Sequence, residues 1–347
     1  KDCKDELLVG TLEREDQFNY YVNLGRSFGI LPKDEIIPGE KLEMGSSIKA
    51  YVSKLEIGPK GPFILLSRSH YGYLKRLLEL EIPELSDGTI MLYSVAREAG
   101  SRSKIAVYSN NPKVEPIGAI IGEKGSRIGR ILSGLSGEKI DVVLYDKDPV
   151  QFIKNALSPA KNLDVTITDE KKKEVLVLAD KDNLSLAIGK KGQNVRLAAR
   201  LTHYRIDVKT SEQVKEEKIK NILRKKIDNY FEILSISDKK LQNKFGVHII
   251  NTLEEAESLA TKLRIFFTIP VDAPISNLIY LLESHDMMII TIPQSKDTEG
   301  FIGFYETINN VPIIAVPESS NGYEQRYNVA KYLGELLMVS YNNKDAL

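Results

Sequence analysis

Apolar and polar positions alternate over the first seventy residues and then take up a helical period. Runs at Glu6–Glu13, Gln17–Leu24, Gly29–Pro32, Ser47–Leu55 and Pro62–Arg68 alternate or stay apolar, with Gly25, Pro38-Gly39, Gly45 and Gly58–Pro62 between them. Short runs bounded by turn residues predict strands, and five of them in this length suit a small closed barrel of the OB type. Phe18, Tyr20, Tyr21 and Phe28 lie in or beside the second run. Successive side chains on a strand face opposite ways, so some of these rings face outward. Phe18 and Tyr21 are the candidates for stacking on unpaired bases. Arg68, closing the fifth strand, is a candidate phosphate contact.

After the barrel comes a unit used twice. Tyr73–Leu80 has helical spacing and stops before Pro83, while Gly88–Ala96 and Lys104–Tyr108 read as strands. The apolar run Pro116–Ile121 then meets Gly122-Glu123-Lys124-Gly125, a helix follows over Ser126–Leu132, and Lys139–Val143 is a strand. The second copy has a helix at Asp148–Leu157, strands at Leu163–Thr168 and Glu174–Ala179, and a helix at Lys181–Ile188. Gly189-Lys190-Lys191-Gly192 comes next, then a helix over Gln193–Leu201 and a strand at Arg205–Val208. From turn to strand the two copies differ by one residue.

Glycine at both ends of each turn permits positive φ and removes the Cβ atoms that would hold a polynucleotide backbone away from the main chain. The amides opening the next helix favour a phosphate through their free N–H groups and the helix dipole. Lys124, Lys190 and Lys191 add full charges inside the turns, and Arg127 and Arg196 follow them. A lone Gly-x-x-Gly needs no function beyond a helical hairpin. Two in the same helix, turn, helix, strand context are the signature of paired KH domains, each clamping about four nucleotides of single-stranded nucleic acid. The candidate RNA contacts are therefore Gly122, Glu123, Lys124, Gly125, Arg127, Gly189, Lys190, Lys191, Gly192 and Arg196, with Ile121, Ile128, Ile188 and Val195 shaping the grooves for bases.

Charge supports this placement. The net charge is zero, but residues 1–100 carry 13 basic and 16 acidic side chains, residues 101–250 carry 29 and 19, and residues 251–347 carry 6 and 13. Positive charge thus gathers around the glycine turns, as a polyanion requires. With 42% apolar and 28% charged residues the chain reads as an ordered multidomain protein. No apolar run approaches the roughly 20 residues of a membrane span, and the opening Lys-Asp-Cys-Lys-Asp-Glu lacks a signal peptide's layout. The expectation is a cytoplasmic monomer without membrane attachment. Cys3 is the single cysteine and the four histidines are scattered, so no metal site or cofactor is expected.

Beyond the second unit, Lys218–Leu234 carries Ile219, Ile222, Leu223, Ile227, Tyr230, Phe231 and Leu234 on one stripe, which predicts a helix packed on the C-terminal part of the chain. Asp238–Leu259 suggests two short helices around a glycine turn, and an acidic α/β segment begins near Leu259. The fold class is multidomain α+β. Its expected parts are a five-stranded OB-type barrel (1–72), two tandem type II KH domains (73–147 and 148–213), a helical linker segment (214–258) and a small α/β domain (259–347).

Residues 7 to about 209 resemble the RNA-binding body of the NusA family of bacterial transcription factors, an S1-type barrel followed by two KH domains. The segments that carry the likeness are 30–40, 96–107, Gly125–Ile128, Asn155–Ala160 and, above all, Leu184–Thr202. The resemblance implies a non-enzymatic factor that binds nascent single-stranded RNA on RNA polymerase and modulates pausing, termination and antitermination. It also implies RNA contacts at Gly122–Gly125 and Gly189–Gly192. Members of the family usually start with a domain that grips the polymerase, whereas the sequence here starts at the barrel. Residues 259–340 resemble an ImmA/IrrE-type metallopeptidase domain that has lost its chemistry. Where that family has His-Glu-x-x-His, two zinc ligands and a general base, this sequence has Lys331, Tyr332 and Glu335. The alternative reading is accordingly a catalytically dead, peptidase-derived sensor or interaction protein that uses the KH pair only to dock on RNA.

Overall fold

The computed structural model describes residues 4–25, 27–58, 61–236 and 244–339. They form two compact units, Lys1–Thr210 and Ser211–Leu347.

The first unit opens with β1 (Leu7–Glu15), β2 (Asn19–Asn23), β3 (Phe28–Pro32), β4 (Ser47–Gly58) and β5 (Gly61–Ser67), closed into a barrel in the order β1-β2-β3-β5-β4. Alternation sends Leu12, Val22, Leu31, Ile48, Ala50, Val52 and Leu66 into its centre. Closure pairs every strand on both sides and leaves no free edge.

Next come α1 (Tyr71–Glu81), the short α2 (Pro83–Ser86), β6 (Ile90–Glu98), β7 (Arg102–Ser109), α3 (Pro116–Ile121), α4 (Ser126–Ser133) and β8 (Lys139–Leu144). The second copy consists of α5 (Pro149–Ala156), β9 (Asp164–Asp169), β10 (Glu174–Leu178), α6 (Lys181–Ile188), α7 (Gln193–Thr202) and β11 (Arg205–Lys209). In each copy the middle strand runs antiparallel to the strand before it and parallel to the one after the glycine turn. That mixed three-stranded sheet, with helices before and between its strands, is the type II KH arrangement anticipated from the element order.

The three parts share cores. Ile37 and Tyr51 of the barrel are buried with Leu74, Leu77, Leu78, Ile105, Val107, Ile120 and Ile131 of the first αβ domain. On β7 the side chains alternate. Ile105 and Val107 face that core, while Ala106, together with Ala96 and Val143, is buried against Phe152, Ile153, Leu157, Leu197 and Leu201 of the second. A sheet buried on both faces leaves no polar face, which explains a fully buried lysine. Lys104 reaches across to donate to the Ser158 carbonyl (2.9 Å) and pairs with Asp141 (3.1 Å). Burial pushes its ammonium below the usual lysine pKa.

In the second unit α8 (Ser211–Ile236) is followed by β12 (His248–Ile249), α9 (Leu253–Phe266), α10 (Leu278–Glu283), β13 (Met288–Ile292), β14 (Phe304–Ile308), β15 (Val311–Pro317), α11 (Gly322–Leu337) and β16 (Met338–Val339). The sheet order is β13-β15-β14. Central β15 is buried along nearly its whole length. Ile313 and Ala315 pack with Ile219, Leu223 and Ile227 of α8, and Ile314 and Val316 pack with Val329, Tyr332 and Leu337. The apolar stripe of α8 is therefore covered by this sheet.

The expected helix pair around a glycine turn over 238–259 is not found. Positions 238–243 lie outside the described residues, and 244–251 contain no helix, only the two residues of β12. A capping box then starts one helix of 14 residues, with Thr252 accepting from the Glu255 amide (3.2 Å) and the Glu255 carboxylate accepting from the Thr252 amide (3.3 Å). Buried Phe245 belongs to the core of α10 and α11, which holds the residues before that box in an extended path.

Candidate nucleic-acid interface

The two glycine turns have the same backbone to within a few degrees. Gly122 and Gly189 have φ/ψ of 75/170 and 74/171, Lys124 and Lys191 of 50/28 and 52/30, and Gly125 and Gly192 of 76/17 and 73/15. Three positive φ values in four residues turn the chain sharply between two helices. The glycines within a turn do different work. A Cβ on Gly122 would lie 2.7 Å from Arg127 Cγ, and one on Gly189 would lie 2.7 Å from Asn194 Cβ, so the first glycine permits close packing. A Cβ on Gly125 or Gly192 would meet nothing nearer than 3.9 Å, so the second glycine leaves open surface.

Each turn is closed by a hydrogen bond from the second glycine amide to the first glycine carbonyl (3.1 Å in both). The amides of Glu123 and Lys124, and of Lys190 and Lys191, have no backbone partner among the described residues. They lie beside the N-termini of α4 and α7, where the helix dipole adds to their attraction for an anion. The Lys124, Lys190 and Lys191 ammonium groups have no carboxylate within ion-pair distance among the described residues, so their charge is available to a ligand.

The two arginines assigned to RNA from sequence are already engaged. Arg127 pairs with Glu84 (2.8 Å), and its Nη1 donates to the Ala119 carbonyl (2.8 Å). Its guanidinium holds the Glu84 carboxyl below the usual range. Arg196 donates from Nε to Glu98 (2.6 Å) and from Nη1 to the Lys191 carbonyl (3.2 Å). Both therefore shape a turn through internal contacts.

On the barrel, Phe18, in the bend before β2, is 69% exposed, and Phe28, at the start of β3, is 55% exposed. Tyr21 is half-buried, with its hydroxyl donating to Asp16 (2.8 Å) and Arg14 stacked 4.1 Å from its ring centre. Arg68 is a correction. It is buried, its guanidinium gripped by both oxygens of Glu40 and donating to the Lys49 carbonyl and the Tyr73 hydroxyl, so it is not a surface phosphate contact. Reading it as the end of a strand missed that the next helix folds back over it and encloses the side chain.

Residues 68–145 match the model for the NusA-like first KH domain, and residues 149–216 match that for the NusA-like second KH domain. Both KH domains are thus of the NusA-like type. The NusA proteins of Halalkalibacterium halodurans and Bacillus subtilis, each named a transcription termination/antitermination protein, are 48% and 47% identical to it over 215 residues. Those matches cover 62% of this chain and 56% and 58% of the relatives. NusA of Borreliella burgdorferi is 41% identical over 243 residues, 70% of this chain and 49% of the relative. The chain thus spans about half the length of the relatives it matches. Most of the second unit lies beyond the two NusA-type domain matches.

Sequence reasoning did not find the groups that hold the NusA-type turns in place. Glu84 carries no local signal, and Glu98 and Ser101 lie in the segment 96–107 that carries the likeness, although nothing in that segment names the partners they meet. Asn194 could have been found. It is the second residue after its turn, as Arg127 is after the first, and laying the repeats on each other aligns the two.

Proposed function

We propose that the chain binds single-stranded RNA along its two Gly-x-x-Gly turns, and that it does so on nascent transcripts as a factor of transcription elongation, termination and antitermination. The observation that carries this reading is the recurrence of one backbone geometry, with lysines in both turns and open surface at both second glycines. Nothing about such a turn makes or breaks a covalent bond. It supplies amides, charge and a groove, which is what an unpaired polyanionic strand needs.

The relatives' names, transcription termination/antitermination proteins, support a setting in transcription, and the proposal takes nascent RNA and RNA polymerase as partners and the cytoplasm as the compartment. No described helix is long and apolar enough to cross a membrane. The exposed rings of Phe18 and Phe28 would extend the RNA path onto the barrel. The test is titration of a labelled unstructured RNA into the whole chain. Binding that weakens with salt by about 0.7 log units per phosphate contact per decade, and is lost when Gly125→Asp and Gly192→Asp are combined, is expected. Undiminished affinity in that double variant would refute the site.

A further inference from the structure

Four contacts run from the β6–β7 turn of the first KH domain to the first turn of α7 in the second. Glu98 receives Arg196 in a forked pair, Nε at 2.6 Å and Nη2 at 3.2 Å. Gln193, the first residue after Gly192, donates from Nε2 to Glu98 (2.9 Å) and to Ser101 Oγ (2.7 Å). Arg200, one helical turn beyond Arg196, lies 3.7 Å from the same carboxylate. The remaining link runs back into the RNA turn itself, where Arg196 Nη1 donates to the carbonyl of left-handed Lys191 (3.2 Å).

We infer that Glu98 is a positioning residue for RNA binding: it fixes the second Gly-x-x-Gly turn relative to the first domain, so that one RNA strand engages both turns together. This rests on the RNA-binding reading above. A carboxylate beside a polyanion site opposes binding by charge alone, and its placement here makes sense only through what it holds. Its negative charge is spent on two arginines, and its two oxygens hold the side chains of Gln193 and Arg196 in the first turn of α7. A strand bound at one turn then meets the other at high effective concentration, an advantage that depends on fixed geometry.

The sign of the charge effect makes the test decisive. With Glu98→Ala in the whole chain, removing a negative charge should by itself tighten RNA binding. Loss of position should weaken the binding of an RNA long enough to reach both turns, by about tenfold on the scale of linked-site gains. The same substitution in a Gly192→Asp background, where only the first turn can bind, should change affinity less than about twofold by the same argument. Unchanged or tighter binding of the long RNA by Glu98→Ala would overturn the inference. So would an equal loss in the Gly192→Asp background, because the residue would then be acting through the fold of the first domain. Failure of the RNA-binding reading is seen separately, as absence of binding by the unmodified chain.

Discussion

Arg127 and Asn194 occupy the same place in the two KH domains, and each ties the helix after its turn to the helix before it. Arg127 Nη1 donates to the Ala119 carbonyl (2.8 Å), and Asn194 Nδ2 donates to the equivalent Leu186 carbonyl (3.1 Å). Asn194 also reaches the carbonyls of Leu157 (3.0 Å) and Ala187 (3.1 Å), while its buried Oδ1 has no partner among the described residues. Asn194→Ala would leave buried carbonyls without their donor, a cost of about 1–3 kcal/mol. Urea unfolding of the variant should show that loss. A stability within about 0.5 kcal/mol of the parent, the range of a featureless surface change, would mean that the pin carries nothing.

The two glycines of a turn should separate stability from binding. Gly122→Ala and Gly189→Ala put a methyl 2.7 Å from a neighbouring side chain at positive φ, and each should cost about 1–3 kcal/mol of stability. Gly125→Asp and Gly192→Asp meet open space in a left-handed conformation that Asp tolerates, so they should melt close to the parent while losing RNA. Calorimetry and RNA titration on the four variants check this. The reverse pattern would show that the roles are misassigned.

Arg68 and Glu40 should matter to folding and leave RNA alone. Both side chains are almost fully buried in a forked pair where the barrel meets the first KH domain. Arg68→Ala leaves a buried carboxylate unpaired, a cost of about 3–5 kcal/mol. At a temperature where the variant is still folded, its affinity for RNA should equal that of the parent. A selective loss of affinity at unchanged stability would return Arg68 to the RNA path.

Acid should weaken the contact that holds the second turn. Hydrogen bonding from Arg196 depresses the Glu98 carboxyl below the ordinary 4.5. A carboxyl depressed in the folded state contributes stability that is fully present above its unfolded pKa and is lost as pH falls through the lower folded value. Melting temperature should therefore hold steady above about pH 4.5 as far as this group is concerned, and decline below it. Glu98→Gln should flatten that part of the decline, and a profile identical to the parent's would remove Glu98 from the account.

Phe18 should add to RNA affinity without supporting the barrel. Its ring is exposed, and Phe18→Ala should leave thermal stability unchanged while weakening RNA binding by up to about 1–3 kcal/mol, the range for one stacked base. Equal affinity for RNA would confine the contact surface to the KH pair.

Much of this molecule was legible in its sequence because the relevant signals are local. Alternation and turn residues marked the five barrel strands, and the repeated helix, glycine turn, helix and strand marked both KH domains. The positive φ that Gly122, Gly125, Gly189 and Gly192 adopt follows from their lack of a side chain. Where neighbours in space decide, sequence failed. Arg68 looked like a free cation at a strand end until α1 folded over it, and the pairing of Arg196 with Glu98 of β6 has no local signal. Buried Lys104 was invisible for the same reason, since only the docking of the second KH domain on β7 covers it. The sequence by itself determined which backbone turns form and where lysines stand in them. The tertiary structure alone decided which charges remain free, because a charged side chain's role depends on the partner that packing places within hydrogen-bond reach, and those partners come from segments far away along the chain.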